Sequence, residues 1–289
     1  MKILVLGAGA YGAALGGVLV ENGHEVVYYD PIKATERVDG DESGRSESHD
    51  DSKSGNLESD CGVIYANLTE ALGEAEAMVL CVPSEVAEEL LAQLPRDTFL
   101  IVATKGFLTE APFAVFHDWV VLSGPGFAND IKAKKQTYLT VTDERLKQLF
   151  SAEYIACDQT KDRLGVLMCG ALKNVYALWA GYCVLRPGTE AHEKYLSDVA
   201  DEMRAILLAN GANPLTVGLY CGVDDLRMTC GPGSRNYAYG IELMESPKAR
   251  PNVTVEGLAV LKRIEQGEIN LPGNLPYLES LIMKSKEWK

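Results

Sequence analysis

The sequence predicts an α/β protein: a doubly wound parallel sheet over residues 1–159, followed by an all-helical domain over residues 160–289. Short apolar runs alternate with helical periods as far as Gln159, and a glycine-rich turn directly follows the first of them. From Lys161 onward only the helical period remains.

Lys2 to Leu6 is an apolar run of the kind that forms a buried parallel strand. Gly7-Ala8-Gly9-Ala10-Tyr11-Gly12 follows, then a helical stretch from Ala13 to Asn22, a break at Gly23-His24, and a second strand from Glu25 to Tyr29 ending at Asp30. That order is the dinucleotide-binding βαβ unit of a Rossmann-like sheet. Gly7 permits the tight turn, Gly9 lets the backbone approach a pyrophosphate, and Gly12 lets the helix pack on the strand. The helix N-terminus, entered through Ala10 and Tyr11, offers free N–H groups and partial positive charge to the phosphates. Asp30 is placed to accept hydrogen bonds from a ribose 2′-OH. A 2′-phosphate would meet its charge, and Pro31 offers no cation, so the expected cofactor is NAD, with NADH preferred over NADPH. Met1-Lys2 and the apolar stretch to Val20 are not read as a secretion signal, because glycines interrupt the run and a well-formed strand follows.

Lys33 to Asp60 is rich in Asp, Glu, Ser, Gly and Lys and reads as a long solvated loop. Strands are then expected at Gly62 to Ala66, Ala77 to Val82, Phe99 to Ala103 and Val120 to Leu122, with helices at Leu68 to Leu72 and Glu85 to Leu94. Ligands of such sheets bind beyond the carboxyl ends of the strands, so Gly7 to Gly12, Asp30, Pro83, Lys105 and Gly124 should share one crevice. Tyr138 to Val141 and Tyr154 to Cys157 complete the sheet edge. Beyond them the expected helices are Leu164 to Leu185, Glu190 to Asn210, Leu215 to Gly218, Tyr237 to Met244, Val255 to Glu265 and Tyr277 to Lys286.

Composition narrows the functional classes. With 47% apolar and 24% charged residues the chain is core-forming, and a net charge of −14 argues against nucleic acid and anionic membranes as partners. An anionic small-molecule substrate must therefore be held by locally placed cations. No apolar run is read as long enough for a bilayer, so no membrane insertion is expected. The 7 cysteines lack CxxC spacing and read as buried, reduced thiols of a cytoplasmic protein. The 4 histidines form no metal-ligand pattern, and no metal is expected.

Two lysines and one turn carry the chemistry. Lys173 lies in the middle of an apolar helix, where desolvation lowers its pKa, and such a lysine can give a proton to a carbonyl oxygen and take it back. Lys105, at a strand end facing the same crevice, depresses that pKa further and can polarise the carbonyl. Gly231-Pro232-Gly233-Ser234 leads into a helix, and a serine cap with Arg235, Asn236 and backbone N–H groups makes a phosphate site.

These segments resemble the bacterial-type NAD(P)-dependent glycerol-3-phosphate dehydrogenase family. The similarity covers Gly7 to Gly12, Asn22 to Val26, Val82 to Ser84, Ala103 to Gly106, Ser123 to Ala128, Gly170 to Val175, Asp225 to Cys230, Ser234 to Gly240 and Val255 to Gly257. The resemblance implies reversible reduction of dihydroxyacetone phosphate to glycerol 3-phosphate, for phospholipid synthesis, by a homodimer. It implies Lys173 as proton donor and acceptor, Lys105 as a substrate and cofactor contact, and Asp225 as substrate-hydroxyl acceptor, with Asn174 holding Asp225 or Lys173. Gly124, Ser234, Arg235 and Asn236 join the substrate set; Ala10, Tyr11, Pro83, Ala128, Arg235, Val255 and Glu256 join the cofactor set, the last two on the nicotinamide side. The chain departs from the family pattern in the polar stretch Lys33 to Asp60, in Gly126 where a hydroxyl residue is usual, and in Glu190 to Tyr195 and Asp201 to Met203. Those departures keep two alternatives open: a reductase of another small phosphorylated or carboxylated carbonyl compound, and a non-catalytic dinucleotide-binding paralogue.

Overall fold

Leu4 and Leu6 of strand β1 (Lys2–Leu6) point into one core cluster, and Ile3 and Val5 into another. Strand alternation therefore buries both sheet faces, which is why the run is apolar throughout. The computed structural model describes residues 1–36, 57–59 and 62–288. Among them the first unit comprises α1 (Ala10–Glu21), β2 (Glu25–Tyr29), α2 (Pro31–Glu36), β3 (Leu57–Ser59), β4 (Gly62–Tyr65), α3 (Leu68–Leu72), β5 (Ala77–Leu80) and α4 (Ser84–Leu91). It continues through β6 (Phe99–Val102), β7 (Trp119–Ser123), α5 (Ala128–Lys132), β8 (Thr137–Val141), α6 (Glu144–Leu149) and β9 (Ile155–Gln159). The strands form a 9-stranded sheet in the order β3-β4-β2-β1-β5-β6-β7-β8-β9.

The pairs are parallel except β3–β4 and β7–β8. The sheet is mostly parallel, as expected, and its two antiparallel pairs lie in its outer parts. Helices α1, α5 and α6 cover one face; α4 and the helical unit cover the other. The reading of Lys33 to Asp60 as loop is corrected in part. The Asp30 carboxylate accepts from Lys33 N at 3.1 Å and Pro31 opens a turn, so the chain coils into α2. Leu57–Ser59 pairs with β4. The rest of that stretch, with His49 and Cys61, lies outside the described residues.

After β9 the described chain has helices and no further strand: α7 (Arg163–Tyr182), α8 (Glu190–Ala209), α9 (Asp225–Thr229), α10 (Arg235–Glu245), α11 (Glu256–Glu265) and α12 (Pro276–Ser285). Helix α7 is 20 residues long and by length and composition could cross a membrane, which corrects the reading that no run is long enough. It is instead the core of the helical unit, buried from Gly165 to Leu178. Helix α10 crosses it closely. A Cβ on Gly240 would lie 2.2 Å from the Leu178 carbonyl oxygen, so this contact of backbone on backbone excludes any side chain.

The departures at 190–203 have structural work. His192 Nε2 pairs with the Cys230 carbonyl at 2.9 Å, and Tyr195 Oη donates to the Tyr176 carbonyl at 2.6 Å. The Glu202 carboxylate accepts from Tyr277 N at 2.7 Å and Leu278 N at 3.1 Å, satisfying the first turn of α12. Cys169, Cys221 and Cys230 are buried free thiols and Cys81 and Cys157 are half-buried. Cys183 is exposed, contrary to its expected burial, because it lies at the C-terminal end of α7.

Candidate active site

The glycine turn has the form a dinucleotide needs. Gly7 has φ 104°, a conformation that favours glycine, and a Cβ on Gly12 would lie 2.0 Å from the Gly7 carbonyl oxygen. Gly9 is the N-cap of α1, and a Cβ there meets no atom within 4 Å. No side chain caps that helix, so its first N–H groups, including those of Ala10 and Tyr11, are left for an anion such as a pyrophosphate. Helix α1 begins at Ala10, earlier than the sequence suggests, because Gly9 itself takes the extended N-cap conformation. Asp30 stands beside this turn, with Oδ2 accepting from Ala8 N at 3.0 Å. The Lys33 ammonium donates to the Ala8 carbonyl, so a cation stands near Asp30 after all. Ala128 opens α5, which packs against α1.

Beyond the next strand ends lies a buried charge cluster. Lys173, in the middle of α7, forms an ion pair with Asp225 Oδ2, and Lys105 Nζ approaches the same oxygen at 3.3 Å. Lys105 Nζ also donates to the Gly124 carbonyl at 2.8 Å and lies 5.2 Å from the Tyr11 ring centroid. Thr229 Oγ1 donates to Asp225 Oδ1 at 3.4 Å. Two ammonium groups thus face one carboxylate.

The proton affinities follow from that imbalance. Burial brings the Lys173 pKa down to about 7; the Asp225 charge opposes this and the Lys105 charge reinforces it. Lys105 is also pulled down by burial, but the Asp225 charge, Tyr11 and the hydrogen bonds of the cluster together outweigh it and the net shift is upward. The two lysines part because the Lys105 side chain keeps 18% exposure and a second acceptor, whereas Lys173 keeps 4%. Burial favours the neutral form of Asp225, yet the two ammoniums hold its carboxyl below the usual range.

A hydrogen-bonded chain ties this cluster to the helical unit. Asn174 Nδ2 donates to the Lys105 carbonyl at 3.2 Å and to the Gly170 carbonyl at 3.0 Å. Asn236 Nδ2 donates to Asn174 Oδ1 at 2.9 Å, and Asn236 Oδ1 accepts from Gly257 N at 2.9 Å. Asn174 therefore holds the Lys105 backbone and not the side chain of Asp225 or Lys173. Buried Val255 caps α11, and Glu256 reaches across to α4, where Ser84 N and Ser84 Oγ donate to its carboxylate at 3.2 and 2.9 Å. Pro83 is the N-cap of that helix, so it sits beside this contact. Burial raises the Glu256 pKa against the Ser84 hydrogen bonds.

The Gly231 to Ser234 turn leads into α10. Ser234 Oγ accepts from Tyr237 N at 3.3 Å and caps α10. Arg235 is exposed at the first position of that helix, next to Asn236, and its charge reaches Glu256. Most of the nominated residues thus lie at strand carboxyl ends or at helix starts, whereas Lys173 and Asn174 lie in the middle of α7. Sequence reasoning missed Ser84, Thr229 and Lys33. Thr229 was visible as an i+4 hydroxyl after Asp225 on a helix; Ser84 had no local signal for a partner 172 positions away. At Gly126 an added Cβ would meet Thr137 Cγ2 at 3.1 Å and Ile131 Cδ1 at 3.4 Å, so a side chain there is rooted against β8 and α5. Among the described residues no group of His, Cys, Asp and Glu is placed to hold a metal ion.

The chain is similar to known proteins over most of its length. The family model for the NAD-dependent glycerol-3-phosphate dehydrogenase N-terminus matches residues 2–148, and that for its C-terminus matches residues 162–279. A glycerol-3-phosphate dehydrogenase [NAD(P)+] of Oceanobacillus iheyensis is 30% identical over 92% of this chain and 84% of its own. One from Bacillus velezensis is 29% identical over 97% of this chain and 88% of its own. The crystal structure of a glycerol-3-phosphate dehydrogenase from Coxiella burnetii superposes with a TM-score of 0.80 at 22% identity, covering 99% of this chain and 94% of that one, and shares the fold. The chain belongs to the NAD-dependent glycerol-3-phosphate dehydrogenase family.

Proposed function

We propose that the protein is an NAD-dependent oxidoreductase that interconverts dihydroxyacetone phosphate and sn-glycerol 3-phosphate for phospholipid synthesis. One observation carries the reading: a buried lysine with lowered proton affinity is paired to Asp225, and Lys105 on the same carboxylate lies 5.2 Å from the ring of Tyr11 in the dinucleotide turn. The nicotinamide, when bound, supplies or accepts the hydride. Lys173 donates the proton to the carbonyl oxygen in reduction and removes it in oxidation. Lys105 polarises that oxygen and, with Gly124, lines the substrate side. Asp225 keeps both ammoniums in place and accepts from the substrate hydroxyl. Arg235, with the capped start of α10 at Ser234 and Asn236, holds the phosphate, which supplies the local cation that a chain of net charge −14 needs. Gly7, Gly9, Ala10, Tyr11, Gly12, Asp30, Pro83, Ala128, Val255 and Glu256 line the cofactor's path.

Residues 1–159 then serve as the cofactor unit and residues 160–289 as the substrate unit, within a cytoplasmic homodimer whose mass sedimentation would report. The direct test of substrate is NADH oxidation in the presence of dihydroxyacetone phosphate, set beside a small carboxylated ketone. Turnover of the phosphorylated ketone alone is expected; absence of turnover despite NADH binding would sink the proposal.

Cofactor preference gives a second expectation. The Asp30 carboxylate accepts from Ala8 N beside the glycine turn, and the Lys33 ammonium is committed to the Ala8 carbonyl. NADH should bind more tightly than NADPH in fluorescence titrations, and Asp30→Ala should narrow the gap. Equal affinities in the wild type would refute the preference.

A further inference from the structure

Asp225 reaches the two lysines from a π-helical turn, Tyr220–Asp224, that ends directly before it. Such turns are rare and short, and they occur frequently at functional sites. Here side chains of the sheet take the first N–H groups. Tyr220 N donates to Asp158 Oδ2 and Cys221 N to Thr140 Oγ1, both at 2.8 Å. Thr140 is fully buried in β8, and its register partner across β7 is Ser123. Ser123 immediately precedes Gly124, whose carbonyl holds Lys105. Thr140 therefore joins the strand end that places Lys105 to the turn that places Asp225.

We propose that Thr140 is a positioning residue for the proton-transfer centre, its hydroxyl holding the Tyr220–Asp224 turn so that Asp225 stays between Lys105 and Lys173. This rests on the reading of Lys173 as the acid–base group. The groups that face Lys173 are Asp225 from α9, Lys105 from the segment after β6 and the neutral Cys230 after α9, with Tyr11 beyond Lys105. Asp225 alone among them strengthens the hold of Lys173 on its proton. Losing the Thr140 hydroxyl leaves the buried Cys221 N–H without its acceptor, so the turn shifts and Asp225 retreats.

The test is a direct titration of the Lys173 side chain by NMR in protein labelled at the lysine ε-carbon, assigned with Lys173→Arg. The wild-type midpoint is expected at about 7. In Thr140→Val it should fall by about half a unit or more, because the partly withdrawn carboxylate no longer offsets burial. Thr140→Ser keeps the hydroxyl and should titrate as the wild type does. An unchanged midpoint in folded Thr140→Val, or an equal fall in Thr140→Ser, overturns the proposal. Where Thr140→Val does not fold, Thr140→Cys replaces it, its thiol being a weak acceptor; the fall should have the same sign, and its absence is equally fatal. The titration needs no substrate, so failure to turn over dihydroxyacetone phosphate would sink the proposed reaction while leaving Thr140 tested.

Discussion

Lys173→Ala should lower kcat for dihydroxyacetone phosphate reduction by about 10²–10⁴-fold, the range that a positioned general acid contributes. The variant should remain folded and bind NADH. Removing Lys173 leaves Asp225 matched by Lys105, one carboxylate to one ammonium, so the loss relieves a buried excess of positive charge. The dinucleotide turn lies on α1, far along the chain from α7, and keeps its glycines and its open helix start. Steady-state rates and NADH fluorescence titrations on the same preparation check both halves. A kcat close to that of the wild type would remove Lys173 from the mechanism. Loss of NADH binding would mean that the crevice had been disturbed and the rate could not be assigned to proton transfer.

Asp225→Asn is expected to act on proton affinity before it acts on folding. Taking one partner from a buried ion pair costs about 3–5 kcal/mol when the other charge has to stay. Lys173 escapes most of that by releasing its proton, since burial and Lys105 already pull its pKa down and only Asp225 opposed them. Reduction at neutral pH should fall about tenfold for each unit by which the Lys173 titration moves down. The sign of the stability change follows. A lysine with a depressed folded pKa binds its proton in the unfolded chain but not in the folded one, so stability rises with pH between the folded and unfolded values. The variant should therefore lose stability relative to the wild type progressively as pH falls below about 7, the wild-type value. Melting curves at mildly acidic and mildly alkaline pH check this. A constant difference in Tm would contradict it.

The parts of this protein that were legible in its sequence are those where one local pattern decides. β1 and β2 are apolar runs bounded by glycines, and their ends read correctly. The start of α10 was marked by Ser234, whose side chain does cap it. Lys173 stood out because a charge interrupts an otherwise apolar helix, and its depressed proton affinity follows from that burial. What was not legible depends on partners distant in the chain. The antiparallel pairing of β8 with β7 leaves no trace in a five-residue apolar run. Helix α6 is too short for periodicity to show. The π turn before Asp225 exists because Thr140 and Asp158 hold it, and neither is near it in sequence. Glu256 was nominated for the cofactor's nicotinamide side by resemblance, and its hold on Ser84 emerges only when α11 meets α4.

Lys173 is expected to change protonation near neutrality, and the reaction to use that change. The measurement is kcat/KM against pH from about 6 to about 9 in both directions, since this ratio reports the free enzyme's essential groups. Reduction needs the ammonium and should decline as pH rises through about 7; oxidation needs the free amine and should climb through the same point. Opposed inflections there are the expected result. Profiles that are flat in both directions across that range would contradict the account.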